Sequence, residues 1–325
     1  MKCLIRSSQS NCPKQVSSPG TVTLAVRVLA KAERASVVAA VGDRRAGRGD
    51  GRIVIRIASV PDRFVAGEET ALVQHLNGGP ALPTLTPPRP FERGVDGRPT
   101  LIQNAETVAH VALLARFGPD WFRQLGTRDE PGSALFTVSG AVRRPGVHEA
   151  ELGTPLRELI ALAGGATTAP QAFLIGGYFG TWITAADAKQ LTLDDACLRQ
   201  LGGGLGARAI AVLPEDACGV AETARVARYL AGESAGQCGP CVHGLAAIAD
   251  ALERAAKLER GDERDRIARW AGQVTGRGAC KHPDGATRFV ASALDVFAHE
   301  FEWHATHRNC SRRSARVLPI PTRRA

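Results

Sequence analysis

The sequence predicts a multidomain α+β protein with three parts: an α/β region toward the N-terminus, a small α+β module in the middle and a helical bundle toward the C-terminus. Three observations predict this. A helical run and then a β-branched run, RIVIRIASV (Arg52–Val60), stand side by side in the first hundred residues. Residues 133–212 alternate strand signals with one well-capped helix. Residues 216–304 carry four apolar stripes at helical spacing. A chain of 325 residues with 44% hydrophobic composition has enough apolar surface for two or three cores.

The elements follow in order. Residues 21–41, TVTLAVRVLAKAERASVVAAV, read as a helix, followed by the polar loop GDRRAGRGDGR and the strand at 52–60. A short helix starts near Glu68 and ends at Gly78–Gly79. A Pro-rich connector leads to PTLIQNAETVAHVALLARFGPDWF, whose second part reads as helix. A boundary falls at Thr127–Ser133. Beyond it come a strand, an Arg-Pro-Gly turn, a second strand and a helix with Thr154 as N-cap, Pro155 in its first turn and Gly164–Gly165 at its end. AFLIGGY is a further strand. The four bundle helices fall near 216–231, 242–257, 263–275 and 285–304. Val220, Thr223, Ala227 and Leu230 line the first, Leu245, Ile248 and Leu252 the second, Ile267, Trp270 and Val274 the third, and Val290, Leu294, Phe297 and Phe301 the fourth.

The net charge of +9 suggests nucleic acid until its location is considered. Residues 1–20 carry Lys2, Arg6 and Lys14 without an acid, and residues 308–325 carry six arginines without an acid. The body between them is neutral. These are expected to be two solvated, disordered basic tails, and no aromatic platform accompanies them for base stacking. No run approaches the roughly 18 apolar residues of a membrane span, and the start lacks the apolar core of a signal peptide. A cytoplasmic setting is expected, in which the eight cysteines are thiols or metal ligands rather than disulfides.

One stretch carries chemistry: ESAGQCGPCVHG, Glu233–Gly244. Cys238 and Cys241 have C-x-x-C spacing, and Ala235 stands where a third cysteine would extend it. The bundle puts this pair in the turn between its first two helices and Cys280 in the turn between its last two. In an up-down bundle those turns share one end, so the three thiols can converge. Soft thiolates, normally four, hold a 4Fe–4S cluster, and the second helix begins at Cys241, where its dipole favours an anionic group. Three thiolates with one imidazole would also suit zinc. The ordinary alternative is a set of free thiols. Cys3, Cys12, Cys197, Cys218 and Cys310 show no ligand spacing and read as ordinary thiols, and the remaining histidines as surface or core residues.

The Glu233–Gly244 stretch with Cys280 resembles the pattern E-S-C-G-x-C-x-x-C-R-x-G plus a distant fourth cysteine. That pattern belongs to the NADH-binding flavoprotein component of respiratory complex I (NADH:quinone oxidoreductase) and its relatives in NAD-reducing hydrogenases and formate dehydrogenases. AGEETAL (Ala66–Leu72) resembles the family's GEE motif, and PTLIQNAETVAHV (Pro99–Val111) its P-T-L-V-N-N-V-E-T-L-A segment. Residues 133–212 resemble its soluble-ligand-binding β-grasp (SLBB) module. The sequence departs from the family at Ala235, at Val242 in place of arginine, and at Gln103-Asn104 in place of a double asparagine. The family's Gly-rich FMN loop is expected upstream of what this chain contains. GRGDG (Gly47–Gly51) is no substitute, because it follows a helix and precedes a strand, the reverse of a phosphate-cradling loop.

The resemblance implies a domain plan: a basic tail at 1–20, a partial FMN/NADH-type α/β domain at 21–132, the SLBB-like module at 133–212, a four-helix iron–sulfur bundle at 213–305 and a basic tail at 306–325. It implies a 4Fe–4S cluster on Cys238, Cys241 and Cys280, with water, Ser234, His243 or His282 as fourth ligand. It implies FMN and NADH contacts at Gly67, Glu68, Glu69 and Asn104. The plain alternative for the two glutamates is a helix's first turn, where the dipole favours carboxylates anyway. The implied function is electron transfer of the NADH:quinone oxidoreductase type, with an impaired flavin step, as an oxidoreductase component not active alone. Its partners would be other electron-transfer subunits, through which it could sit peripherally at a membrane. A non-catalytic scaffold and a zinc-stabilised bundle are the alternative readings.

Overall fold

A computed structural model describes residues 2–6, 21–27, 31–47, 54–259, 261–307, 309–313 and 316–321. The chain divides between Arg116 and Phe117 into two units. The 132/133 boundary read from sequence falls inside the second, which holds both the module and the bundle.

The first unit holds a four-stranded sheet in the order β3-β2-β1-β4, formed by β1 (Lys2–Arg6), β2 (Thr21–Arg27), β3 (Val54–Val60) and β4 (Thr100–Asn104). β1 runs antiparallel to β2 and β4, while β2 and β3 are parallel and joined through helix α1 (Lys31–Ala46). The helix expected over 21–41 is therefore corrected. Its first part is a strand, as the β-branched Thr21, Val22, Thr23 and Val26 favour, and the helix lies further on. Parallel strands need such a crossover, so this region holds a whole β-α-β unit. From Arg48 on, the GRGDG segment lies outside the described residues, as do residues 7–20. Helix α2 (Glu69–Leu76) follows β3 and packs Leu72 and Val73 against Val60, Ala66, Ala81 and Val95. Helix α3 (Ala105–Phe117) follows β4, and a one-turn helix α4 (Pro119–Phe122) follows α3.

In the second unit, β5 (Ser133–Gly140), β6 (Gly146–Glu151), β7 (Pro170–Ile175), β8 (Thr181–Thr184) and β9 (Ala209–Pro214) form a mixed sheet in the order β6-β5-β9-β7-β8. Helix α5 (Leu156–Leu162) packs Leu156 and Leu159 against Phe136, Val138 and Val212, and helix α6 (Asp195–Gln200) adds Leu198. Inward positions alternate along β5 because a strand has a period of two: Ala134, Phe136 and Val138 are buried and Leu135 is exposed.

The bundle comprises α7 (Gly219–Gly232), α8 (Ala246–Ala256), α9 (Glu263–Val274), α10 (His282–Val296) and α11 (Ala298–Thr306). The fourth helix predicted from sequence is thus two helices with a break at Phe297, and the second begins with a π-helical turn over Pro240–Leu245. Trp182 on β8 is buried against Phe289 and Phe297, with ring centroids 6.2 and 5.1 Å away. Its backbone N–H donates to Ser292 Oγ at 3.0 Å. These contacts fix the module on α10.

The expectation of a solvated C-terminal tail is corrected for its described residues. Cys218 N–H donates to Arg313 O at 3.0 Å and Arg313 N–H to Asp216 O at 2.8 Å. Leu318 is buried; its N–H donates to Glu222 Oε2 at 2.9 Å and its carbonyl accepts from Arg225 at 2.8 Å. Backbone pairing, the ion pairs of Arg312 with Glu300 and of Arg313 with Asp216, and one apolar anchor hold the segment in place. Among the described residues no helix is long and apolar enough to cross a membrane.

Candidate functional site: a thiol set at one end of the bundle

Three chain segments meet at the end of the bundle where α7 stops. The loop after α7 turns at Gly236, whose φ of +70° is a left-handed conformation that suits glycine. Cys241 and Val242 donate their N–H groups to Cys238 O at 3.2 and 3.0 Å. That tight turn holds Cys238 and Cys241 together. The π-helical turn then runs close against α9: a Cβ on Gly244 would overlap Cγ2 of the buried Val274. Gly244 therefore lets the cysteine turn sit low on the bundle.

The third thiol comes from the turn before α10. Gly276 N–H donates to Asp284 Oδ1 at 2.8 Å, and Pro283 sits in the first turn of α10 and fixes its start. His282 is buried, and its Nε2 donates to Leu230 O at 2.8 Å, tying the start of α10 to the end of α7. Burial pushes the His282 pKa below its ordinary value of 6.5. The ring lies edge-on to Phe179 of the module at 5.4 Å.

The thiols feel one another. Cys241 is buried, and its pKa is pushed up to about 12, first by that burial and then by charge on Cys238 and Cys280 and a hydrogen bond with Cys238. A bound cation displaces the thiol protons, and its charge offsets the repulsion among the thiolates. The spacing separates two kinds of cation. Tetrahedral zinc with 2.3 Å bonds sets sulfurs about 3.8 Å apart. Among the described residues, however, the group of His, Cys, Asp or Glu ligand atoms that all lie within 4.8 Å of one another is a different one, Cys218, His304 and Cys310. Cys238, Cys241 and Cys280 do not form such a group, and the zinc alternative has no support there. An all-thiol set of soft donors suits a polynuclear iron–sulfur cluster.

The other residues named from sequence are placed as follows. Ala235 and Ser234 are half-buried in the loop before Cys238, and His243 is exposed. Glu68 is the N-cap of α2: its Oε2 accepts from the N–H groups of Thr70 and Ala71 at 2.9 and 3.0 Å and from the Thr70 hydroxyl. Glu69 lies 4.0 Å from Arg89. A Cβ at Gly67 would meet nothing within 4 Å, and Asn104 is exposed at the end of β4. A pocket of about 460 Å³ nearby is lined by Thr70, Asn77, Thr84 and Arg93 but by none of these four. Sequence reading missed the Cys218–His304–Cys310 grouping, because only the fold brings residue 218 beside residues 304 and 310.

Comparisons with known proteins agree with this layout. Residues 221–304 match the NADH-ubiquinone oxidoreductase-F iron-sulfur binding region, residues 135–177 the SLBB domain and residues 14–113 the Nuo51 FMN-binding domain. The chain is 34% identical over 250 residues to the NADH-quinone oxidoreductase F subunit of Streptomyces coelicolor, covering 76% of this chain and 56% of that protein. It is 34% identical over 252 residues to the corresponding protein of Mycobacterium tuberculosis, again 76% of this chain and 56% of the relative. It thus spans little more than half the length of these curated relatives. A crystal structure of an NAD+-reducing [NiFe]-hydrogenase in the H2-reduced state superposes with a TM-score of 0.80 and 28% identity, over 87% of this chain and 49% of that one.

Proposed function

This chain belongs to the family of the NADH-quinone oxidoreductase F subunit, and from that premise we propose that it is an electron-transfer component holding a 4Fe–4S cluster on Cys238, Cys241 and Cys280. The observation that carries this is the electrostatic influence of Cys238 and Cys280 on the buried Cys241 at one end of the bundle. When bound, the cluster would accept and pass on single electrons. The chain's own contribution is to supply thiolates from two turns, to shield Cys241 from water and to fix Cys280 through the anchored start of α10. A low local dielectric and backbone N–H groups tune such a centre. The fourth iron position then takes a ligand other than cysteine, because alanine stands at 235.

We infer that the flavin step is impaired in this chain. Glu68, one of the pair resembling the family's nucleotide-contacting carboxylates, already accepts two N–H groups of its own helix through Oε2. The purified chain is accordingly expected to retain little FMN and to reduce ferricyanide with NADH only at background rate. Flavin absorbance at one equivalent after desalting would overturn the impairment and leave the cluster reading intact. Partners in this reading are other electron-transfer subunits, and the setting is cytoplasmic.

The cluster is tested by anaerobic reconstitution with iron and sulfide. Iron retained by the native chain and lost in Cys241→Ser supports it. Equal iron in both chains sinks it and favours the scaffold.

A further inference from the structure

We propose that Cys218, His304 and Cys310 form a second metal site, for a single zinc-type ion, which fastens the C-terminal segment to the start of α7. The three ligand atoms lie within 4.8 Å of one another. Cys218 Sγ is 3.8 Å from His304 Nε2, and Cys310 Sγ is 3.1 Å from the same nitrogen. A tetrahedral zinc ion with Zn–S of about 2.3 Å and Zn–N near 2.05 Å sets sulfur and nitrogen about 3.6 Å apart. The observed pair of distances brackets that value.

The surroundings are those of a metal ligand set. His304 Nδ1 donates to Ala255 O at 3.0 Å, and the residue is buried. That bond fixes the tautomer, so Nε2 presents its lone pair toward both sulfurs, as in histidines that bind metal through Nε2. Cys218 is buried at the N-cap of α7, where its sulfur accepts the Ala221 N–H at 3.3 Å. Glu300 sits at the same helix start, its Oε2 accepting the Gly219 N–H at 2.8 Å, and its other oxygen lies 3.4 Å from Arg312 Nε. Two thiolates and an imidazole select a borderline-soft ion such as zinc over calcium or magnesium. Three protein ligands leave its fourth position to water.

The site also has a mechanical role. Cys310 precedes the strap that pairs Arg313 with Asp216 and Cys218 and buries Leu318. A metal bond from Cys310 to Cys218 clamps that strap at its root. Binding displaces a proton from each thiol.

The test titrates cobalt(II), a spectroscopic stand-in for zinc, into the full-length reduced apo-protein. An equimolar amount should bind, with tetrahedral d–d bands and sulfur charge-transfer absorption, and zinc should displace it. The triple variant Cys238→Ser, Cys241→Ser, Cys280→Ser should keep this signal. Cys310→Ser should weaken binding by at least about tenfold. Should Cys310→Ser fail to fold, X-ray absorption on the zinc-loaded native chain decides: two sulfurs and one imidazole nitrogen support the site, and three sulfurs place the ion elsewhere. The proposal is overturned if cobalt is lost in the triple variant but kept in Cys310→Ser, if no chain binds it, or if peptide mapping finds Cys218 and Cys310 joined in a disulfide that forms in preference to metal binding.

Discussion

Helix α7 has a cysteine set at each end, and the two differ in donor type and grouping. Its 14 residues rise about 21 Å. At its N-terminal end the donors of Cys218, His304 and Cys310 all lie within 4.8 Å of one another, whereas at its C-terminal end Cys238, Cys241 and Cys280 do not form such a group, although Cys238 and Cys280 act on Cys241. The imidazole between two sulfurs suits one ion, and the all-thiol set suits the cluster proposed for it. Donor type and spacing together, not the number of cysteines, tell the two ends apart.

One substitution separates the ends outright. Cys241→Ser should reduce reconstituted iron from several atoms per chain to background while leaving cobalt uptake at the Cys218 end unchanged. Loss of both signals together would show that the two ends are not independent sites.

A more modest change tests why the thiol turn sits where it does. Gly244→Ala drives a methyl group into Val274, and such overpacking costs about 1–3 kcal/mol. Chemical denaturation should show that loss, and adding Val274→Ala should recover part of it. Full stability in the single variant would mean that the approach of the π-helical turn to α9 is not tight.

How much of this was legible in the sequence depends on the range of each signal. The bundle could be read because its stripes are local: Val220, Thr223, Ala227 and Leu230 recur at helical spacing and are buried on one face. The thiol pair was legible for the same reason, since Cys238 and Cys241 fall within one turn. Strand β2 was missed because its apolar run continues without a break toward α1, and the alternation of Thr21, Val22 and Thr23 was too short to stand out. The break at Phe297 leaves no mark in the stripe, which carries on through Phe301. Cys218 and His304 are 86 positions apart, and no spacing rule joins them. The docked tail was hidden by its own arginines, which read as solvated although Leu318 anchors the segment.

The weakest difference between the ends is a pH dependence confined to the cluster side. Burial lowers the His282 pKa, so the unfolded chain takes up this proton at higher pH than the folded one. Stability contributed here is present above the ordinary pKa of 6.5 and falls as pH drops through and below it. The melting temperature of the metal-free chain should therefore fall less between pH 7 and pH 5 in His282→Gln than in the native sequence. Parallel curves would show that His282 does not set this dependence.

Everything at the cluster end rests on one premise: the turn holding Cys238 and Cys241, with Cys280, is a cluster site lacking one thiolate. The decisive experiment is electron paramagnetic resonance with iron and sulfide assay, on the reconstituted native chain and on Ala235→Cys side by side. A cluster with a labile corner, or a 3Fe–4S signal, is expected in the native chain, and higher, more oxidation-resistant iron content once the fourth thiolate is supplied. Absence of iron from both chains under the same conditions would contradict the premise.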